Sequence, residues 1–329
     1  MRRRLSVTVE RWPLAAAFTI SRGSKTEAVV VRCQIDEDGA SGQGECVPYL
    51  RYGETPERVV ELIETMRASL EAGLGRTELQ SRLPPGAARN AVDCALWDLE
   101  AKLTGTPVWK LAGLKEPGAV ETAFTISLAS PNAMAEATRI AATRPVLKIK
   151  LGAGDGYDGE RMRAVRAAAP NARLLIDANE GWREDTIVAS LREAARIRAV
   201  VVEQPLPAAE DGSLARLPHP VPVCADESVH GADSIAALTG RYDYLNLKLD
   251  KTGGLTEGLR FLREAQARGF GVMVGCMVGT SLSMAPALLL AQEADYVDLD
   301  GPLLLARDRE PGLRYKASRV FPPDPALWG

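Results

Sequence analysis

Eight charged side chains organise the reading of this chain. They are Lys148 and Lys150 in VLKIKL, Asp177 in LLIDAN, Glu203 in VVVEQP, Asp226 in PVCADES, Lys248 in YLNLKLD, and Asp298 with Asp300 in YVDLD. Each closes a short run of Val, Ile and Leu, the composition of a strand buried on both faces. The runs recur roughly every 25 residues, the length of one strand, one helix and two loops, and in a (β/α) barrel such strand ends converge on one mouth. Asp177, Glu203 and Asp226 fall on consecutive strands. Carboxylates brought that close repel, and one would be forced to take up a proton unless a cation neutralised them. A hard divalent ion with oxygen ligands, such as Mg²⁺, does this. Singly, each carboxylate could as well cap the next helix or pair with a lysine; three in succession, flanked by lysines, favour the cation. His219 and His230 are the only histidines, which argues against a histidine-built metal site.

Residues two apart on a strand share a face, so Lys148 and Lys150 look into the barrel together, with Lys248 four strands later across from them. Beside a divalent cation their pKa values are expected to fall from about 10.4 toward neutrality, where a lysine can release or accept a proton. Two such groups on opposite sides of a substrate can take a proton from one face and return one to the other. Asp298 and Asp300 also share a face and suit a cationic group such as a substrate ammonium; a structural role at the Gly301–Pro302 turn is the alternative. Asn179 and Glu227 stand next to candidate ligands and are expected to orient them. Gly253–Gly254 reads as a tight turn, His230 as a loop histidine, and the Trp and Met residues as core.

These side chains need a scaffold. Residues 1–50 alternate in three stretches, predicting an antiparallel sheet whose first two strands are separated by the loop Phe18–Ala28. Helices are predicted over 55–72 and 87–103. After residue 115 strand and helix alternate strictly. The first strand is AVETAFTISL, followed by a helix from Ser130; further strands lie near 147, 174, 201, 223, 245, 272 and 296. The intervening helices start near Gly159, Glu184, Ser213, Gly231, Thr256 and Ser281. Eight strands imply an α/β fold with a closed barrel over 116–302. The α+β unit of 1–115 is completed by the turn-rich tail 303–329.

At 329 residues and 35.3 kDa the chain has room for both units. A net charge of −3 and a pI near 5.7 give no nucleic-acid footprint. MRRRLSVTVERW lacks the apolar stretch of a signal peptide, and no run reaches membrane-spanning length. Cys33, Cys46, Cys94, Cys224 and Cys276 are odd in number and scattered, as expected in a reducing cytoplasm.

With these motifs stated, the chain resembles the enolase superfamily, and within it the muconate lactonising subgroup. IDANEGW, EQPLPA, CADES, NLKLDKTGGLTE, ISRGSKTEA, GECVPYLRYGE, GAARNAVDCALWDLEAK, GCMVGTS and DLDGP look like the dipeptide epimerases. The resemblance covers essentially the whole chain. It implies a modified TIM barrel, (β/α)₇β, with an N-terminal α+β capping domain. It implies Mg²⁺, or Mn²⁺ in its place, held by Asp177, Glu203 and Asp226 and binding the terminal carboxylate of a small dipeptide. Lys150 and Lys248 would be the acid/base pair, with Lys148 supporting the bound carboxylate. Asp298 and Asp300 would bind the α-ammonium. Arg22 would bind the side chain of a C-terminal glutamate, Lys25 or Arg51 sharing or replacing it, and Thr125 and Met277 would complete the substrate-binding set. L-Ala-D/L-Glu from cell-wall peptide recycling is the expected substrate, with no nucleic-acid or membrane partner and with a homo-oligomer left open.

Overall fold

The computed structural model describes residues 3–329. Strands β1 (Arg4–Ile20), β2 (Gly23–Glu37) and β3 (Ala40–Cys46) form an antiparallel sheet in sequence order. Its buried face, with Leu5, Val31, Cys33, Ile35 and Cys46, packs on helices. The loop expected over Phe18–Ala28 is instead the far end of the β1–β2 hairpin. After a register shift between Pro13 and Phe18, Phe18 faces Lys25 and Ile20 faces Gly23, so the ladder continues to a turn at Ser21–Arg22. The helix expected over 55–72 is interrupted at Met66, giving Pro56–Thr65 and Arg67–Glu71, with the Thr55 hydroxyl accepting from the Arg58 amide.

Helix Ala87–Thr104 is buried almost all round because it lies between the cap sheet and the barrel. On the sheet side, Gly42 and Gly44 let its backbone approach: a Cβ at Gly44 would sit 2.1 Å from the Ala91 carbonyl oxygen. On the barrel side, its polar residues seize the segment just after Lys248. Arg89 donates to the carbonyls of Thr252 (2.7 Å) and Gly253 (3.2 Å), and the Asn90 amide donates to Asp250 at 2.8 Å. Asp93 accepts from the Thr256 amide (2.9 Å) and hydroxyl (2.6 Å). Gly253 and Gly254 have φ of +82° and +109°, and a Cβ on Gly254 would meet Asp93 at 2.5 Å. The glycine pair thus makes the expected turn and also admits the cap helix.

The strand expected as AVETAFTISL is divided. Strand β4 (Val120–Glu121) leaves the barrel, and β5 (Phe124–Ile126) opens it. Strands β6 (Val146–Lys150), β7 (Arg173–Asp177), β8 (Ala199–Glu203), β9 (Val223–Ala225), β10 (Tyr244–Leu247), β11 (Gly271–Gly275) and β12 (Tyr296–Asp298) follow in parallel order. The ends meet through the Ala123 amide on the Val297 carbonyl (2.8 Å) and the Leu299 amide on the Thr122 hydroxyl (2.8 Å). The crossovers expected as helices near Ser213 and Gly231 are 3₁₀ turns, Asp211–Arg216 and Ala232–Leu238. The first is squeezed among Pro205, Pro207, Pro218, Pro220 and Pro222, which cannot supply helical amides.

Alternate barrel residues face in and out. Ala123, Val146, Leu175, Val201, Cys224 and Met273 form an apolar plug inside the barrel. Their outward neighbours, such as Leu147, Ile149, Leu174 and Ile176, belong to the core under the helices. One step further up the inward face stand the charged residues.

The tail returns over both units. Strands β13 (Tyr315–Lys316) and β14 (Arg319–Val320) pair with β4. The Ala306 amide bonds the Pro13 carbonyl at 2.8 Å, Arg309 meets buried Glu45 at 2.6 Å, and the Trp328 indole donates to the Cys94 carbonyl at 3.0 Å.

Two predictions follow from this packing. Gly44→Val should cost about 2–3 kcal/mol in urea unfolding, because its side chain has no path that avoids the helix backbone. Gly75→Ala, with nothing within 4 Å, should stay within about 0.5 kcal/mol of wild type. Asp250 is buried at the cap contact, accepting from Val47 (3.0 Å) and Asn90. Burial pushes its pKa from 3.8 to about 7. The folded state then holds the proton more tightly, so Asp250 stabilises fully below pH 3.8, and that contribution is lost as pH rises through 7. Between pH 5 and pH 8 wild type should lose about 2–3 kcal/mol more than Asp250→Asn in denaturant titrations.

Candidate active site

The charged layer above the apolar plug is held by strand register. Lys150, Asp177 and Glu203 are successive neighbours on β6, β7 and β8, and Glu203 lies beside Cys224, two residues before Asp226 on the same face. All three carboxylates are at most 2% exposed. Lys148 Nζ is 2.6 Å from Glu203, 2.7 Å from Asp298 and 3.3 Å from Asp177. Lys150 Nζ is 2.5 Å from Asp177, and Lys248 Nζ is 2.6 Å from Asp226. The structure therefore brings together the two lysine strands and the three carboxylates expected from spacing.

Three polar groups central to this layer escaped the sequence reading. Lys251, 2% exposed, donates to the Asp226 carboxylate and carbonyl, both at 2.6 Å, and to the Asn246 carbonyl at 3.0 Å. Asn246 donates to Glu203 at 2.7 Å. Gln204 accepts from the amides of Asp226 (2.9 Å) and Ser228 (3.1 Å), and donates to the Leu206 carbonyl, the Ser228 hydroxyl and the Tyr242 hydroxyl. It thereby fixes the backbone that carries Asp226. The signals were present: Lys251 is one helical turn after Lys248, and Asn246 is two residues before it on the same face.

Burial pushes Lys148 and Lys248 down, but facing carboxylates outweigh it and hold both well above the usual lysine value. Each ammonium touches a carboxylate directly, and a fall toward neutrality is what a divalent cation among those carboxylates would cause. Burial pushes Asp177 up, yet Lys150 and Lys148 bring it to about 2. Glu203 goes the other way, to about 7, through burial and repulsion from Asp177. Asp226 is held far below its usual value by Lys248 and Lys251, against burial.

Among the described residues no three His, Cys, Asp or Glu side chains stand as a ready metal cage, since each carboxylate leans toward its ammonium. The donor chemistry nevertheless fits a hard divalent cation. The donors are all oxygens from three adjacent strand ends, and Glu203 Oε2 is buried without an aligned hydrogen bond although Lys148 lies nearby. Asn179 supports the set through its backbone, its amide donating to Asp177 at 2.9 Å.

Above this layer the cap and barrel enclose a cavity of about 440 Å³, lined in part by Lys150, Lys248, Met277 and Lys25. Thr125, Asp298 and Asp300 lie on the opposite wall of the barrel from Asp226 and are almost fully buried. The Thr125 amide donates to Asp300 at 2.6 Å, and Asp298 Oδ1 has no hydrogen-bond partner. Burial, with Asp298 adding, raises Asp300 to about 7. Arg22, at the hairpin tip, lines the same cavity and is paired within the protein. It donates to Glu227 (2.6 Å), the Asn179 carbonyl (2.9 Å), Tyr49 (3.0 Å) and Glu180 (3.2 Å). Arg51 grips Glu180 with two bonds of 2.8 Å.

Comparison with known proteins agrees with this geometry. Residues 2–113 match the model of the mandelate racemase / muconate lactonizing enzyme N-terminal domain, and 132–324 that of the enolase C-terminal domain-like family. An L-Ala-D/L-Glu epimerase of Escherichia coli is 46% identical, over 97% of this chain and 99% of its own. An N-acetyl-D-glutamate racemase of a Pseudoalteromonas species is 42% identical, over 88% and 91%. A crystal structure from Agrobacterium tumefaciens, an enolase family member with homology to dipeptide epimerases and with bound sodium and L-Ala-L-Glu, superimposes with a TM-score of 0.98 at 55% identity, over 99% and 100%. A dipeptide epimerase from Enterococcus faecalis, complexed with Mg and L-Leu-L-Tyr, gives a TM-score of 0.90 at 27% identity, over 98% of both chains. Both domain models and near-complete coverage by named epimerases and racemases place the chain in the enolase superfamily, as an isomerase of the mandelate racemase / muconate lactonizing enzyme group.

Proposed function

We propose that the protein is a Mg²⁺-dependent dipeptide epimerase, inverting the α-carbon of the C-terminal residue of L-Ala-D/L-Glu in cytoplasmic recycling of cell-wall peptides. One observation carries this reading: Lys150 and Lys248 line one cavity from strands four apart in the barrel, so their ammonium groups approach a bound α-carbon from opposite sides. The relatives from E. coli and A. tumefaciens support the dipeptide and its glutamate. The solved complexes with Mg support the metal.

The residues divide the work as follows. Asp177, Glu203 and Asp226 would hold the divalent ion, which supplies Lewis-acid stabilisation to a carboxylate gaining charge as its α-proton leaves. Lys148, at the floor, adds a fixed positive charge to that carboxylate and so favours the same charge build-up. Asp298 and Asp300 accept the α-ammonium. Lys150 and Lys248 exchange roles according to the epimer bound: one removes the α-proton as a neutral amine while the other delivers a proton to the opposite face as an ammonium. Lys251 and Asn246 keep Asp226 and Glu203 turned into the site, and the cap excludes water.

A second reading, racemisation of an N-acylated glutamate, is favoured by the N-acetyl-D-glutamate racemase relative. It uses the same proton transfer but offers no ammonium to Asp298 and Asp300.

The test is solvent exchange. With Mg²⁺ in D₂O, L-Ala-L-Glu should acquire deuterium at the glutamate α-carbon and epimerise, and EDTA should abolish both by at least about 100-fold. Faster exchange of N-acetyl-L-glutamate than of any dipeptide would replace the proposal by the second reading. No exchange of either class would refute both.

A further inference from the structure

One carboxylate outside the charged layer holds the chain that leaves Lys150. Lys150 ends β6, and the β6–β7 ladder closes on the pair Lys150–Asp177. Beyond it the Leu151 amide still reaches the Asp177 carbonyl at 2.9 Å. The next amide, that of Gly152, donates instead to Asp158 Oδ2 at 2.8 Å. The same oxygen accepts from the indole of Trp182, in the loop after β7, at 2.9 Å. Asp158 Oδ1 takes the Arg161 guanidinium at 3.0 Å. Arg161 is itself buried, grips Asp155 with two bonds of 2.6 Å, and donates to the Ala129 carbonyl at 2.7 Å. Asp158 thus joins the loops after β6 and β7, and Arg161 ties it to the loop after β5. The first two loops also touch backbone to backbone. Gly152 has φ of +86°, and a Cβ on it would stand 2.2 Å from the Ala178 carbonyl oxygen. A Cβ on Gly181 would stand 2.3 Å from the Gly152 carbonyl oxygen. With no room for a spacer there, the bond to Asp158 fixes which way the Gly152 peptide faces.

We infer that Asp158 is a positioning residue for Lys150. By holding the Gly152 amide it sets where the end of β6 presents the Lys150 ammonium to one face of the substrate α-carbon. This rests on the dipeptide epimerase reading. The other proposed acid/base group is anchored by a different part of the molecule. The short helix Leu249–Thr252 starts on the Lys248 carbonyl, which accepts from the Lys251 and Thr252 amides at 3.0 Å. That helix is held by the cap, through Arg89 on the Thr252 carbonyl and Asn90 on Asp250. Lys150 is therefore steadied by barrel loops and Lys248 by the cap helix, so loss of the Asp158 bond acts on one face of the substrate. The simpler roles open to Asp158 have no such sidedness. As an acid in the first turn of the helix Asp158–Ala168 it favours the helix as a whole. Through Trp182 it steadies the loop that follows Asp177, and a disturbed metal ligand slows abstraction from both faces alike.

The test follows deuterium uptake from D₂O into unreacted L-Ala-L-Glu and, separately, into unreacted L-Ala-D-Glu. It uses the Mg²⁺-loaded wild type, Asp158→Ala, Asp158→Asn and Trp182→Phe, with Lys150→Met identifying the epimer that Lys150 serves. In Asp158→Ala, uptake by that epimer should fall roughly 10- to 100-fold relative to the other, the loss expected when a reacting group is misplaced by about 1 Å. Asp158→Asn keeps an oxygen for the Gly152 amide and should hold the ratio of the two epimers within about threefold of wild type. Trp182→Phe keeps the Gly152 bond and should leave that ratio unchanged. Both epimers are read on one preparation, so a partly unfolded variant lowers them together and cannot create the asymmetry. Equal loss of both epimers in Asp158→Ala, no loss, or loss confined to the epimer served by Lys248 overturns the assignment and leaves the epimerase reading intact. A wild type that exchanges no dipeptide refutes that reading, and this assignment with it.

Discussion

The structure depends on one constraint: charges carried into a barrel interior must be neutralised within it. Asp177, Glu203, Asp226, Asp298, Asp300 and the lysines 148, 150, 248 and 251 are all nearly inaccessible to water. Isolated, each would cost several kcal/mol to bury. Set on inward positions of neighbouring strands, above a layer of Val, Leu, Cys and Met, all but Asp300 neutralise one another at 2.5–3.3 Å, and Asp300 takes the Thr125 amide instead. The apolar plug beneath gives the layer a dry floor, and strand register sets its spacing. A dry, charge-dense layer is also what proton abstraction next to a carboxylate needs, because electrostatic stabilisation is strongest where water is excluded.

The cap completes the constraint from above. Its long helix does not merely cover the barrel. It takes hold of residues 250–256, immediately beyond Lys248, through Arg89, Asn90 and Asp93. Cap docking and the position of Lys248, proposed as one of the two acid/base groups, are therefore linked through the chain that follows it. At the other side the β1–β2 hairpin reaches the loops after β7 and β9 through Ser21 and Arg22, so the residues following two candidate metal ligands are fastened to the cap as well.

Much of this was legible in the sequence, for a physical reason. Buried parallel strands have almost uninterrupted apolar composition, so Lys148, Asp177, Glu203 and Lys248 stand out against it, and a period of two assigns them to the inward face. What the pattern concealed was whatever depends on tertiary partners. AVETAFTISL reads as one strand, but its first residues are claimed by Arg319–Val320 of the tail. FTISRGSKTEA reads as a polar loop, yet its cross-strand pairs keep it in the ladder. The first 3₁₀ crossover, Asp211–Arg216, follows from flanking chain too rich in proline to wind a helix. Lys251 and Gln204 were passed over because neither ends a strand.

The account stands on Lys150 and Lys248 working from opposite faces of a single α-carbon. The most direct measurement follows deuterium uptake from each epimer separately in Lys150→Met and Lys248→Met. Each variant should exchange one epimer only, with the two variants selecting opposite epimers and neither interconverting them. Loss of the same epimer in both variants, or continued epimerisation in either, would contradict it.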